Sequence, residues 1–218
     1  MCTPRLLALS ALALLVTALP SRAAAQNAED RHLRLGAHLA LGMGGDADVF
    51  TDTEIGSGRG SESLDVSAGF GARAEVPILD FVSVGGLFEA FTSETNASGA
   101  EREWAFDFDA FVRLRYVLEL VAGELFLEPY VLLPLGFTFA MLDDPDGDGD
   151  EAWPGWNTGV LAGVSVFSSA RIGGFLELGW RHHEVYTGVS NVPVVGDTQI
   201  SLVTNQFALN LGVMFLLE

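Results

Sequence analysis

The chain has 218 residues; its 11 basic residues are all arginine, it carries 29 acids, and 49% of it is apolar. A chain this long and this apolar can bury a core, which excludes a disordered protein. Its formal charge of −18 excludes a nucleic-acid partner, because phosphate binding needs clustered cations.

The N-terminus reads as a targeting segment. Arg5 precedes an apolar run from Leu6 to Leu19, Pro20 breaks it, and Ala23-Ala24-Ala25 supplies small residues before Gln26. That is the three-part pattern of a secretory signal peptide. The run is shorter than the roughly 20 apolar residues of a membrane helix. The expected organisation is a cleaved segment over 1–25 and one β-barrel domain over 26–218. Cleavage removes Arg5, Arg22 and the single cysteine, Cys2, so no intramolecular disulfide can form.

The remaining chain repeats with period two. In 33–43, Leu33, Leu35, Ala37, Leu39, Leu41 and Met43 alternate with Arg34, Gly36, His38, Ala40 and Gly42. In 64–76, Leu64, Val66, Ala68, Phe70, Ala72, Ala74 and Val76 alternate with Asp65, Ser67, Gly69, Gly71, Arg73 and Glu75. The 82–92 stretch is similar, with Glu89 on its polar face. The clearest window is 104–116, where Trp104, Phe106, Phe108, Val112, Leu114 and Tyr116 oppose Asp107, Asp109, Arg113 and Arg115. Successive strand residues face opposite ways, so each window predicts a strand with one apolar and one charged face. In 125–139, Glu128, Tyr130 and Thr138 sit on the polar face, and Pro129 and Pro134 predict a bulge or a strained ladder. The pattern in 157–167 rests on Val160, Ala162, Val164 and Val166. In 174–186, Leu176, Leu178, Trp180 and Tyr186 oppose Glu177, Arg181 and His183. In 202–217, Phe207, Leu209, Leu211, Val213, Phe215 and Leu217 oppose Gln206, Asn210 and Gly212.

Long polar connections at 44–63, 93–103, 141–156 and 187–199 alternate with shorter ones at 77–81, 117–124 and 168–173. An even number of strands with long loops at one end and short turns at the other is the transmembrane barrel signature. The exported chain, the glycines on the charged faces and the aromatic residues near the ends of the apolar faces agree with it. The predicted fold class is all-β: one eight-stranded antiparallel up-and-down transmembrane barrel, with the apolar faces on lipid and the charged faces in the lumen. Closure matters, since an open sheet edge leaves backbone groups unpaired in lipid.

The chain ends Asn210-Leu211-Gly212-Val213-Met214-Phe215-Leu216-Leu217-Glu218. This resembles the C-terminal β-signal of outer-membrane proteins, and the whole chain resembles a small OmpA/OmpX-type outer-membrane barrel. The resemblance implies residence in the bacterial outer membrane, contact with its lipid, and recognition of the last strand by the assembly machinery. One departure is the final residue, Glu218, where many such chains end on Phe.

Three groups of residues are candidates for chemistry. Arg34, Arg73, Arg113, Arg115 and Arg181 share the lumen face with Asp65, Glu75, Glu89, Asp107, Asp109, Glu128 and Glu177. Buried charges must pair, so the expectation is a salt-bridged plug, with a narrow or gated pore as the alternative. In the acidic segment 143–151, Asp144, Asp146, Asp148 and Gly149 match positions 1, 3, 5 and 6 of a calcium loop, with Asp150 beside them. The match fails at position 12, which is Gly155. The expectation is weak Ca²⁺ binding there, by which a divalent cation could join this anionic surface to lipopolysaccharide; no other cofactor is implied. Arg59 and Arg102 alone oppose the acids of the four long connections.

His182, His183 and Glu184 near Ser190 are the residue types of a hydrolytic triad. They resemble, in outline, the outer-membrane lipid A deacylases. The spacing departs from that family's, and parity places His182 and Glu184 outward and His183 inward. The reading is therefore a non-enzymatic barrel with acidic surface loops and a structural or surface-interaction role. The alternative is a lipid-modifying enzyme. Gly42-x-Gly44-Gly45 and Gly56-x-Gly58-x-Gly60 precede no helix and read as loop, not as a phosphate cradle.

Overall fold

The computed structural model describes residues 32–53, 56–93, 103–143, 150–168, 171–192 and 196–217. The expected signal segment lies outside them. Ten strands occur among the described residues: β1 (Leu33–Thr53), β2 (Gly56–Ser63), β3 (Ser67–Leu79), β4 (Val82–Ser93), β5 (Glu103–Arg115), β6 (Leu118–Val121), β7 (Leu125–Asp143), β8 (Asp150–Ser168), β9 (Ile172–Val192) and β10 (Gly196–Leu217). Every pairing is antiparallel. Eight strands run in sequence order as β1-β3-β4-β5-β7-β8-β9-β10. β10 then pairs with β1 from Leu33↔Leu217 to Thr53↔Thr198, so the last strand meets the first and the ring closes. β2 adds to β1 outside this path, and β6 adds to β7.

The two faces fall as the alternation predicts. Leu39, Leu135, Phe137 and Leu211 are each at least 60% exposed, while Arg113, Glu75 and Asp107 are 0% exposed. This inverts a soluble protein: the apolar face is outside and the ions are inside. Glycines make the inner volume available to large side chains. A Cβ at Gly71 would strike His38, one at Gly85 would strike Phe111, and one at Gly163 would strike Tyr130.

Several expectations need correction. Segment 44–63 is not a loop: β1 continues to Thr53 and returns as β2, a hairpin. β7, β8, β9 and β10 likewise extend into the expected loops 141–156 and 187–199. β1 has 21 residues and β10 has 22, against the roughly 9–11 that cross a bilayer. The wall therefore stands well clear of the apolar belt. Beyond that belt the outer face no longer meets lipid, and β2 is exposed throughout, so the contrast of apolar and charged faces is lost.

A bulge marks the change on β1. The register shifts between Met43 and Asp46, where Gly44 (φ 60°) and Gly45 (φ 118°) take conformations that favour glycine. The shift exchanges the faces of β1: odd-numbered Leu39 points out below the bulge, and odd-numbered Ala47 is 2% exposed above it.

Asp65 is the one expected lumen acid that is not there. Residues 65 and 66 precede β3, Asp65 is exposed, and its carboxylate accepts the Val66 N–H at 2.7 Å. Leu64 turns inward instead, at 7% exposure. The period of two lapses where the β2 hairpin rejoins the wall. At Pro134 the ladder is interrupted, without a bulge. Pairing with β8 skips Leu133 and Pro134, yet Leu132↔Leu161 and Leu135↔Thr158 keep one register, so no bulge forms. Thr158 Oγ1 donates to the Pro134 carbonyl at 3.0 Å and fills part of the gap. Pro129 pairs with Val164, and its carbonyl accepts the Tyr116 N–H at 3.0 Å.

Candidate functional site

The inward charges assemble in three tiers. Nearest the chain ends, Arg34 grips Glu128 with both Nη atoms, at 2.6 and 3.0 Å. Arg113 donates to Glu75 at 2.6 Å and to Ser165 Oγ at 2.9 Å, and lies 3.7 Å over the Tyr130 ring. Arg115 adds a 3.2 Å bond to Glu128.

In the middle tier, Arg73 forks onto Glu177 at 2.6 and 2.9 Å and sits 3.8 Å over the Phe175 ring. Tyr130 Oη and Asn210 Nδ2 donate to the same carboxylate at 2.7 and 3.2 Å. Parallel N–H donors on a carboxylate are both strong and directional.

The upper tier centres on Arg181. Its Nη1 reaches Glu89 at 2.9 Å, and its Nη2 reaches Asp107 at 2.8 Å, Asp109 at 2.9 Å and the Asn157 amide oxygen at 3.1 Å. His38 Nε2 lies 2.7 Å from Glu89, and His183 Nε2 lies 2.9 Å from Asp107. Thr138 Oγ1 donates to Asp107 at 2.6 Å, and Asn157 Nδ2 donates to Thr138 at 3.0 Å. Oxygens of Glu89, Asp107 and Asp109 lie within 4.8 Å of one another, as metal ligands would. The Arg181 guanidinium already supplies the cation between them.

The voids beside this cluster are small. One of about 20 Å³ touches Glu89, Asp107, Arg181 and His183, room for about one water. A second, of about 30 Å³, lies above it between Phe91, Trp104 and Leu202. This upper part of the lumen corrects a further expectation, because it is apolar. Leu64, Ala105, Ala140, Leu142, Trp153 and Val185 are buried there. Extending the period-two pattern of 125–139 by three residues would have placed Leu142 inward, and the pattern of 174–186 already places Val185 there.

Within the candidate triad, His183 is turned away from His182 and Glu184. His183 faces the lumen and is held by Asp107. His182 faces outward, with Nδ1 2.8 Å from Asn205 Oδ1 and its ring between Trp156 and Trp180, at 5.0 and 5.7 Å. Glu184 accepts the Trp156 Nε1–H at 3.0 Å. The side chain of Ser190 lies outside the described residues, as do Asp144, Asp146 and Asp148 of the candidate calcium segment. Asp150 opens β8 opposite Asp143, and its side chain is likewise outside them.

No protein-family profile matches the sequence, and no curated protein does. Solved structures do match. The outer membrane protein OprG from Pseudomonas aeruginosa superposes with a TM-score of 0.60 and 10% identity, over 85% of this chain and 95% of that one. Neisserial surface protein A, NspA, aligns with 17% identity over 84% of this chain and 96% of that one, at a TM-score of 0.40. The OprG likeness shows the fold: this chain has the architecture of a small outer-membrane β-barrel, as the C-terminal pattern implied.

Proposed function

We propose that the protein is a non-enzymatic barrel of the bacterial outer membrane whose lumen is a structural plug and whose activity lies on its surface. The observation that carries this reading is the inverted distribution of charge. Arg34, Arg73, Arg113, Arg115 and Arg181 are each 4% exposed or less and bound to carboxylates, while the outside carries Leu39, Phe108, Phe137 and Leu211 at 51% exposure or more. Water does not favour such an exterior, and lipid does. An ion path needs continuous water, and the tiers of paired side chains fill the cross-section. A deacylase needs nucleophile, base and orienting acid together, and His182 and Glu184, which share the outer face, are engaged by Asn205 and Trp156.

Fractionation and a detergent gel test this. The chain should sediment with outer membrane and run faster unboiled than boiled, as closed barrels resist detergent. Added to planar bilayers it should give no unitary conductance. Recovery as a soluble periplasmic protein, or steady channel currents, would overturn the reading.

The proposal that Ca²⁺ or Mg²⁺ orders segment 143–151 against lipopolysaccharide rests on the Asp144, Asp146, Asp148 and Gly149 spacing alone. Calorimetry should show binding at roughly 10⁻⁴–10⁻³ M Ca²⁺, the range of extracellular modules, and Asp146→Ala with Asp148→Ala should abolish it. Identical heats from wild type and variant would leave only a solvated loop.

A further inference from the structure

The bulge at Gly44 and Gly45 has a consequence higher on the wall. By exchanging the faces of β1 it turns Phe50 outward, although even-numbered Arg34 and His38 point inward. The register then aligns Arg59, Phe50, Ser201 and Tyr186 in one row across β2, β1, β10 and β9. Asp52 and Gln199 pair in the next row on the same face. These six side chains line a shallow, open cleft of about 590 Å³.

The cleft has walls, a floor and a rim. Phe50 and Tyr186 stand two strands apart, about 10 Å, with the small Ser201 between them. Each wall is braced from behind. The Arg59 guanidinium lies 5.1 Å from the Phe50 ring and is held by Asp48 at 2.9 Å. Tyr186 Oη shares the Trp156 Nε1–H with Glu184, at 3.3 and 3.0 Å. Two aromatic rings flanking a small floor suit the C–H faces of a pyranose ring, and the carboxylate of Asp52 and the amide of Gln199 suit its hydroxyls.

Charge and position narrow the occupant. Hydrogen bonds from Ser61 and Arg59 hold the Asp48 carboxyl below its ordinary range, so it is ionised at neutral pH. Asp52 lines the cleft, and Asp48 and Glu184 stand in the row below it on the same face, against Arg59, which Asp48 already engages. A phosphorylated sugar would meet repulsion here, and an uncharged one would not. Tyr186 lies six residues above Trp180 on β9, about 20 Å along the strand. The same face runs down through Glu184 and His182 to Trp180 and the apolar belt. A neighbour that stands against this wall in the membrane presents its head group, not its acyl chains, to the cleft.

We propose that this cleft binds an uncharged sugar in the head group of a glycolipid beside the barrel, a reading that rests on the membrane placement proposed above. The probe is lipopolysaccharide oligosaccharide, released by mild acid and dephosphorylated, titrated into purified barrel in detergent and followed by saturation-transfer NMR. Phe50→Ala and Tyr186→Ala should each weaken binding about tenfold. Ser201→Trp, which fills the floor, should abolish it. Phe81→Ala, at a turn of the opposite end, should leave it unchanged.

Each variant must first keep the boiled-versus-unboiled gel shift. A wild-type chain without that shift overturns the membrane placement and this site with it. A heat-modifiable wild type that gives no oligosaccharide signal overturns the sugar site alone. Equal binding by all variants does the same. Tighter binding of the phosphorylated oligosaccharide overturns the choice of an uncharged sugar. Maltotriose binding as tightly as the probe overturns the glycolipid source.

Discussion

Replacing Arg181 by Leu should cost the folded barrel about 3–5 kcal/mol, the loss seen when one partner of a buried ion pair is removed. Arg181 is 3% exposed and holds Glu89, Asp107 and Asp109 together with its two Nη atoms. Leucine fills some of its volume and answers none of those carboxylates. Arg181→Lys keeps the charge but loses the planar fork that reaches Glu89 on one side and both aspartates on the other, so an intermediate loss is expected. Arg59→Leu is the control. That residue pairs with Asp48 at 2.9 Å, but its side chain is 62% exposed, and an exposed pair contributes about 1 kcal/mol or less. Denaturant titrations of the refolded barrel in lipid vesicles, read by the gel shift, would measure all three. A loss for Arg181→Leu no greater than that for Arg59→Leu would show that the upper tier is solvated and does not act as a plug. Adding Asp107→Asn and Asp109→Asn to Arg181→Leu should recover part of the loss, because fewer buried charges then lack a partner.

The facing of these ions was legible from parity alone, but their partners were not. Arg34 pairs with Glu128, Arg73 with Glu177 and Arg181 with Glu89, each across more than 90 residues of sequence. Alternation says which side of a strand a residue occupies. It does not say how far neighbouring strands slide past one another, and that stagger decides which inward side chains share a level. The transmembrane part of each strand was legible because lipid on one side and paired ions on the other impose contrasting faces. The upper wall was illegible for the converse reason. β2 reads Gly-Ser-Gly-Arg-Gly-Ser-Glu-Ser and is exposed throughout, so nothing in its polarity separates one face from the other. Its pairing comes from the hairpin with β1, where Thr53 Oγ1 donates to the Gly56 carbonyl at 2.6 Å. Asp65 was misplaced for a related reason: the alternation through 64–76 crosses residues 65 and 66, which lack strand geometry, and parity carries no information across such a break. The opposed orientations of His182 and His183 were legible, since adjacent residues of one strand cannot share a face.

Phe108→Arg should destabilise the membrane-inserted barrel by about 2–4 kcal/mol, the range for a cation on the lipid face near the bilayer midplane. Phe108 is 51% exposed on β5, midway along an outward row from Trp104 to Leu114. Its register partners on both neighbouring strands are Phe88 and Phe137, and its ring meets Phe88 at 5.1 Å and Phe139 at 6.2 Å. These phenylalanine neighbours offer no polar side chain to receive a guanidinium. The side chain must therefore stretch toward the head groups or draw water into the hydrocarbon. Phe108→Leu keeps the surface apolar and should lose only the ring contacts. Gly60→Arg, on exposed β2 where an added Cβ meets nothing within 4 Å, should fall within about 0.5 kcal/mol of wild type. Folding into vesicles of two acyl-chain lengths sharpens the test. A longer hydrocarbon region moves position 108 farther from the nearest head groups, so the penalty for Arg should grow, while Gly60→Arg should stay near wild type in both. Equal stability of the Phe108 and Gly60 variants in lipid would mean that the outer face of β5 meets water, and the barrel would have to be turned out of the membrane.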